Sequence, residues 1–170
     1  MANYPILTDE FLAEYKASGK KVLTLILKTE YFKEILAGTK TQEFREIKPT
    51  TEKKYIQFES EGYPVLDEKD NTIPIHYDAI IFYQGYNPDR DSMLAELTGA
   101  STQVLIDEND EPLFYFYSYK RKAVVQEVDT YDPETGDAYD ANGQKIEDAV
   151  QYFVEQITYD LGKIIAAKLK

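Results

Sequence analysis

The sequence has 170 residues, among them 15 Tyr and 8 Phe but no Cys and a single His, and carries a formal net charge of −12. Its length predicts one domain, residues 1–170, while the lack of Cys and the lone His76 exclude disulfides, thiolate zinc sites and multi-histidine metal sites within one chain. The net charge argues against an extended nucleic-acid duplex as partner, because non-specific binding of duplexes depends on neutralising phosphates with Lys and Arg.

The amino-terminal segment and the hydropathy predict a cytoplasmic protein without a membrane partner. Met1–Pro5 lacks the basic and then apolar build of a signal peptide. No stretch approaches the roughly 18 apolar residues that a spanning helix needs. We also find no motif for a cofactor and expect none.

The acidity is concentrated in the later part of the chain. Residues 1–60 hold ten Lys and Arg against nine Asp and Glu, whereas residues 61–170 hold nine against twenty-two. An acidic surface of this kind is typical of a soluble protein. The acidic remainder therefore makes a small ligand, or a short exposed base, easier to accept than a long duplex.

Helix and strand patterns alternate in the first third of the sequence. Residues 9–18 form an amphipathic pattern that begins at an N-cap candidate, Thr8, and ends at Gly19. The apolar stretch Val22–Leu27 predicts a strand buried on both faces. A second helix is predicted to begin at Thr29, as its N-cap, and to end at Gly38.

The remainder of the chain is richer in strand and turn patterns. A strand over residues 40–47 should end before Pro49, which cannot donate to a sheet ladder. Further strands and hairpins are predicted over 65–73, 77–83, 93–97, 102–106, 113–119 and 123–131, with an interruption near Gly99 and an Asn142-Gly143 hairpin turn. Residues 50–59 and 146–165 fit either a helix or another conformation, and periodicity does not decide between them.

These patterns predict a mainly β, α+β domain with two or three short helices. The second helix lies between the first two strands in chain order. A small β-barrel with a helix over one mouth fits this sequence of elements, and the high aromatic content favours packing on pleated surfaces.

One short motif combines a turn with three charges. Gly38 is followed by Lys40, Glu43 and Arg45. On a regular strand Glu43 and Arg45 point to one face, and Lys40 joins them only if the turn after Gly38 directs it there. Glu43 would then accept from a base amino group while Arg45 binds phosphate or carbonyl oxygens, and the alternative is a structural ion pair of Glu43 with Arg45 or Lys40.

The order strand, helix, Gly-x-Lys-x-x-Glu-x-Arg, strand resembles the ASCH domain family of the PUA-like superfamily. All four motif positions are present as Gly38, Lys40, Glu43 and Arg45. The flanking segments are also similar, namely residues 25–29, 31–38, 45–49, 78–86 and 161–165.

The resemblance implies a small PUA-like β-barrel with a cleft beside the motif, covering roughly residues 22–100 and the final strand. The tyrosine-rich hairpins of residues 101–145 look like an insertion. Members of the family generally bind RNA or handle nucleotides, and some resemble amidohydrolases of acetylated cytidine or are described as ribonucleases. In the amidohydrolase branch a Lys, matched by Lys40, is followed three residues later by a nucleophilic Thr, where this chain has Glu43.

Aromatic residues provide a second set of candidate ligand contacts. Tyr83 and Tyr86 surround a glycine turn and precede Arg90, so that they can stack a base beside a cation, or else serve in packing. Tyr115, Tyr117 and Tyr119 share one strand face before Lys120-Arg121-Lys122 and suggest either a stacking platform or a solvated hairpin edge. The Asp-rich turns near 67–72, 107–111 and 132–140 lack the spacing of an EF-hand and are interpreted as turns.

Three functional hypotheses follow. The first is an ASCH-like module that binds RNA, a nucleotide or a modified nucleoside through Gly38, Lys40, Glu43, Arg45, Tyr83, Tyr86 and Arg90. The second is a hydrolase of nucleosides or RNA in the same cleft, with Lys40 and Glu43 as catalytic residues. The third is an interaction protein whose tyrosine-rich hairpins bind a protein partner.

Overall fold

The computed structural model describes residues 3–170, so the first two residues of the Met1–Pro5 segment lie outside it. Within that range three helices and ten strands form, with the bounds α1 Asp9–Ala17, β1 Val22–Leu27, α2 Thr29–Ala37, β2 Gln42–Ile47, α3 Glu52–Tyr55, β3 Ala79–Gln84, β4 Ser92–Val104, β5 Phe114–Ser118, β6 Ala123–Val124, β7 Thr130–Tyr131, β8 Ala138–Tyr139, β9 Val150–Phe153 and β10 Glu155–Lys168. The prediction of a mainly β chain with short helices is confirmed.

The sheets are open. The five-stranded sheet has the order β1-β3-β4-β10-β2, so that β1 and β2 stand at its two ends, and the other sheets have the orders β6-β5-β9 and β7-β8. A barrel requires the first and last strands to hydrogen-bond to each other. The closed barrel predicted from the sequence is therefore not formed, because strand order is decided by long-range pairing that the order of elements does not reveal.

The chain divides into two compact units. The first comprises residues 1–44, 74–101 and 158–170, and the second comprises residues 45–73 and 102–157. The second unit contains nine Lys and Arg against twenty Asp and Glu, a net charge of −11, whereas the first unit has a net charge of −1. Nearly all of the acidity therefore belongs to the second unit.

Strand β3 is the centre of the first unit. It pairs in parallel with β1, from Val22↔Ala79 to Leu27↔Gln84, and antiparallel with β4, from Ala79↔Glu96 to Tyr83↔Ser92. All four residues of its Ala79–Phe82 segment are buried, so it is a strand covered on both faces. Strand β1, predicted to be of that kind, instead exposes Thr24 on one face.

Helix α1 covers one face of this sheet. Thr8 begins the helix as predicted, since its hydroxyl oxygen accepts the Phe11 N–H at 3.0 Å. Phe11 and Leu12 of the helix pack on a cluster that includes Ala79 and Ile81 of β3. The amphipathic pattern of residues 9–18 thus correctly indicated both the helix and its apolar face.

Two local predictions in the first unit are wrong. Thr29 is the first helical residue rather than the N-cap, which is Lys28, and the Thr29 hydroxyl accepts from Gln84 Nε2 at 2.8 Å. No interruption occurs at Gly99, which lies inside the continuous strand β4. The glycine instead permits close approach, because a Cβ there would stand 2.8 Å from Asp160 Oδ2 of β10.

Hairpins and short strands dominate the second unit. Strand β5 pairs antiparallel with both β6 and β9, and its Phe116 belongs to a small core with Val125 and Ala138. The undecided segment 146–165 forms strands rather than a helix, with buried Ile157 alternating along β10 with partly buried neighbours.

The Asp-rich turns repeat one loop geometry. The side chains of Asp67, Asp107 and Asp140 each accept two backbone N–H groups of their own loop, at 2.8 to 3.0 Å. Each loop is closed by a bridge between residues six positions apart: Leu66↔Thr72, Ile106↔Pro112 and Tyr139↔Lys145. Their interpretation as turns is confirmed, and the Asp carboxylates serve the loops themselves.

Candidate functional site

The motif begins at a left-handed glycine. Gly38 ends α2 with φ 80°, and the N–H groups of Thr39 and Lys40 both donate to Glu34 O, at 3.0 and 3.1 Å. Glycine adopts this conformation without the steric cost that other residues meet. The resulting turn brings Lys40 to the entrance of β2.

Lys40 is enclosed by its own neighbours. Its Nζ lies 3.7 Å from Glu43 Oε1 and 5.4 Å from the ring centres of both Tyr31 and Phe44. The side chain of Lys40 is 19% exposed and that of Glu43 is 8% exposed. Glu43 Oε1 also accepts the Phe44 N–H at 2.9 Å. These contacts favour the structural ion pair among the alternatives that the sequence left open.

Arg45 belongs to the second unit, where its charge acts on Lys54. It is partly buried in β2. Partial burial, and then the nearby charge of Arg45, lower the pKa of Lys54.

Three of the candidate residues lie around one cavity of about 570 Å³ at the carboxyl end of β3. Tyr83, Tyr86 and Arg90 all line it, and the rest of its lining is Ile6, Leu7, Thr8, Asp9, Leu12, Ile81, Pro88, Ser92 and Lys168. Gly38, Lys40, Glu43 and Arg45 are not part of the lining. The structure therefore groups Tyr83, Tyr86 and Arg90 around a cavity whose lining does not include the motif.

Arg90 is held in place beside this cavity. Its guanidinium carbon lies 4.1 Å from the ring centre of Tyr83, and its Nη1 donates to Gly85 O at 2.9 Å. Gly85 makes the turn possible with φ 69°. Tyr86, the next residue, is 84% exposed and leaves a ring face available at the cavity mouth. A fixed cation next to a free ring suits a ligand with both a planar and an anionic group.

A buried carboxyl group in the second unit was missed by the sequence argument. Glu52 is 7% exposed and accepts the hydroxyl groups of Tyr119 and Tyr152, each at 3.0 Å. Burial, and then the charge of Glu52, raise the pKa of both phenols. These partners are 67 and 100 residues away in sequence, so no local pattern indicated the cluster.

The tyrosines of the predicted stacking platform, Tyr115, Tyr117 and Tyr119, are part of this cluster or pack against it. Tyr117 is buried against Tyr119, with ring centres 5.0 Å apart, and Tyr115 packs on Tyr152 at 5.4 Å. The adjacent basic segment is engaged as well, because Arg121 pairs with Glu127 and Asp148 at 2.7 and 2.9 Å. The contacts therefore favour packing within the second unit over a stacking platform. The alternative of a solvated hairpin edge is not formed either, because β5 is the central strand of its sheet.

Within residues 3–170 no three acidic or histidine side chains converge as a metal site would require, and no helix there is long and apolar enough to span a bilayer. No protein-family model, curated protein or solved structure matches the chain significantly.

Proposed function

We propose that this protein is a binding module for a nucleotide or a modified nucleoside, held in the cavity at the carboxyl end of β3. One observation carries the proposal. Tyr83, Tyr86 and Arg90, chosen from the sequence as base-stacking and phosphate-binding candidates, line the same cavity of about 570 Å³. That volume lies within the range of about 300–1,000 Å³ typical of small-molecule sites.

The positions of these residues suit such a ligand. A base stacks on the exposed ring of Tyr86, while Arg90, held over Tyr83 at 4.1 Å, faces the anionic part of the ligand. The carboxyl ends of the neighbouring parallel strands β1 and β3 meet at this edge, where open sheets commonly bind ligands. A net charge of −12 favours a mononucleotide-sized ligand over a long RNA strand.

An ASCH-type, PUA-like relationship is part of this proposal. It is supported by the order β1, α2, left-handed Gly38, motif, β2, which follows the pattern of the family along the chain. The open five-stranded sheet departs from the closed barrel that the resemblance implies. In this chain the cavity with Tyr83, Tyr86 and Arg90, rather than the motif, carries the proposed binding.

The test is calorimetric titration of the wild type with the four ribonucleosides, acetylated cytidine and the four 5′-monophosphates. We expect at least one to bind, and Tyr86→Ala to weaken it roughly five- to hundredfold, since stacking contributes about 1–3 kcal/mol per base. Tyr63→Ala is the matched control, because Tyr63 is a comparably exposed tyrosine, at 68%, in the second unit. Absence of any binding, or equal losses in both variants, would contradict the proposal.

A further inference from the structure

Beside the tyrosines, the cavity is lined by a buried serine whose hydroxyl group has no protein partner among the described residues. Ser92 is 5% exposed and lines the cavity at the start of β4. Its Oγ makes no hydrogen bond within residues 3–170, and it is not among the oxygen atoms sealed from solvent. Buried polar groups are normally hydrogen-bonded. An accessible but unpartnered hydroxyl in a cavity wall is therefore a position where a ligand atom completes the bonding.

Two cations of the same cavity lining also have no carboxylate partner among the described residues. The Arg90 guanidinium binds Gly85 O and lies over the Tyr83 ring, and neither Arg90 nor Lys168 forms an ion pair in the described part of the chain. The neighbouring carboxylates are engaged elsewhere, because Lys170 binds Asp89 through Nζ at 3.4 Å and Asp91 through its backbone N–H at 3.0 Å. Asp9 is the single carboxylate of the lining, so the wall carries a surplus of positive charge.

We propose that Ser92, Arg90 and Lys168 form a subsite for a terminal phosphate monoester, so that the ligand is a nucleoside monophosphate or a phosphorylated strand end. The inference rests on the proposed function and deepens it. A terminal phosphate carries a charge near −2 at neutral pH and three acceptor oxygens, which match two cations and one hydroxyl donor. An internal phosphodiester carries a single negative charge, and the site would also have to accommodate the nucleic-acid chain on both sides of it.

The proposal assigns each residue a separate contribution. Arg90 offers the N–H groups that remain after its bond to Gly85 O, in the planar arrangement that suits phosphate oxygens. Lys168 adds a mobile charge at the exposed end of β10. Ser92, on the buried side of the cavity, donates to an oxygen that only the end of a ligand reaches.

The experiment compares, by calorimetry, the four ribonucleosides, their 5′-monophosphates and the methyl esters of those phosphates. We expect the monophosphate of the preferred base to bind about tenfold or more tightly than its nucleoside and its methyl ester, because each charge-assisted contact has that order of effect. Ser92→Ala and Lys168→Met should remove most of this gain while leaving the affinity for the nucleoside unchanged. Lys163→Met is the control, since Lys163 is an exposed lysine of β10 outside the cavity.

The outcomes separate the two proposals. Equal affinities for nucleoside and monophosphate would overturn the phosphate subsite and leave the binding module standing. A methyl ester that binds as tightly as the monophosphate would overturn the preference for a terminal group. Equal losses of nucleoside and monophosphate affinity in Ser92→Ala would also contradict it, because the serine would then act on the shape of the cavity. No binding of any compound would overturn both proposals.

Discussion

The guanidinium carbon of Arg90 stands 4.1 Å from the ring centre of Tyr83, seven residues earlier, and the bond from Arg90 Nη1 to Gly85 O closes the turn between them. The tyrosine is thereby covered by the arginine rather than open to a ligand. In the proposed site, Tyr83 would orient the cation and Tyr86 would offer the free ring. Two of the aromatic candidates thus have different roles.

This arrangement predicts that Tyr83→Leu weakens nucleotide binding roughly three- to thirtyfold, because a cation over an aromatic ring gains about 0.5–2 kcal/mol that preorganises Arg90. Tyr83→Phe keeps the ring and should bind nearly as well as the wild type. Titration with the preferred monophosphate measures both variants. Equal affinities of the Leu and Phe variants would show that the ring does not orient Arg90.

Lys40 should matter for stability rather than for ligand binding. Lys40→Met removes the ion pair with Glu43 and the contacts of the ammonium with Tyr31 and Phe44, and should lower the free energy of unfolding by about 1–2 kcal/mol. Urea denaturation measures this loss, with Lys33→Met, at an exposed lysine of α2, as the control. A variant that is fully stable but binds nucleotides poorly would show that Lys40 takes part in ligand binding.

Glu52 should be a stability determinant of the second unit. Glu52→Ala leaves the hydroxyl groups of Tyr119 and Tyr152 without their acceptor and should cost about 1–3 kcal/mol. Tyr119→Phe removes one donor and should cost less, about 0.5–1.5 kcal/mol. Chemical denaturation of both variants tests the order, and a larger loss in Tyr119→Phe than in Glu52→Ala would contradict the central role of Glu52.

The carboxyl group of Glu155 should make the stability of the protein depend on pH. Burial, followed by the charge of Glu52, raises its pKa above the ordinary 4.5, although the hydroxyl of Thr72 donates to it at 2.8 Å. Folding therefore favours the protonated acid: this contribution is complete below pH 4.5 and is lost as the pH rises through the higher folded value. Glu155→Gln should thus be more stable than the wild type at pH 7.

The advantage of Glu155→Gln should shrink toward pH 4, where the wild-type carboxyl group is protonated in both states. Thermal unfolding at a series of pH values measures the difference. Glu147→Gln, at an exposed carboxylate of the same unit, serves as the control and should show no such trend. An advantage that stays constant with pH would indicate a packing effect in place of ionisation.

Gly162 permits a close approach between β10 and its neighbouring strand β4. An added Cβ would stand 2.5 Å from Glu96 Oε1 and 3.0 Å from Thr98 Cγ2, and the second contact is not relieved by turning a flexible chain end. Gly162→Ala should therefore lower the free energy of unfolding by about 1–3 kcal/mol. Urea denaturation measures the loss, and Lys163→Ala, one residue further along at an exposed position, is the control. Unchanged stability would show that Glu96 and Thr98 move aside freely.

Local patterns anticipated much of this fold. The continuous apolar run indicated the strand Val22–Leu27, although its pairing partner β3 is distant in sequence. The N-cap at Thr8, the left-handed Gly38 and the Asp-rich turns depend on interactions within a few residues, which the sequence contains in full. The same is true of Tyr83, Tyr86 and Arg90, which lie close together along the chain. The turn at Gly85 brings Arg90 and Tyr83 together, whereas the cavity that they line is completed by residues of the amino-terminal segment and by Lys168.

The amino-acid sequence by itself thus determined the mainly β composition, most element positions and the aromatic half of the candidate site, because these follow from local geometry and periodicity. Only the tertiary structure decided that the five-stranded sheet stays open, that Lys40 is enclosed by two rings, and that Glu52 joins two distant tyrosines. The physical reason is that strand order and burial arise from contacts between residues many tens of positions apart. Lys168 reaches the cavity lined by Tyr83 and Arg90 by that route alone.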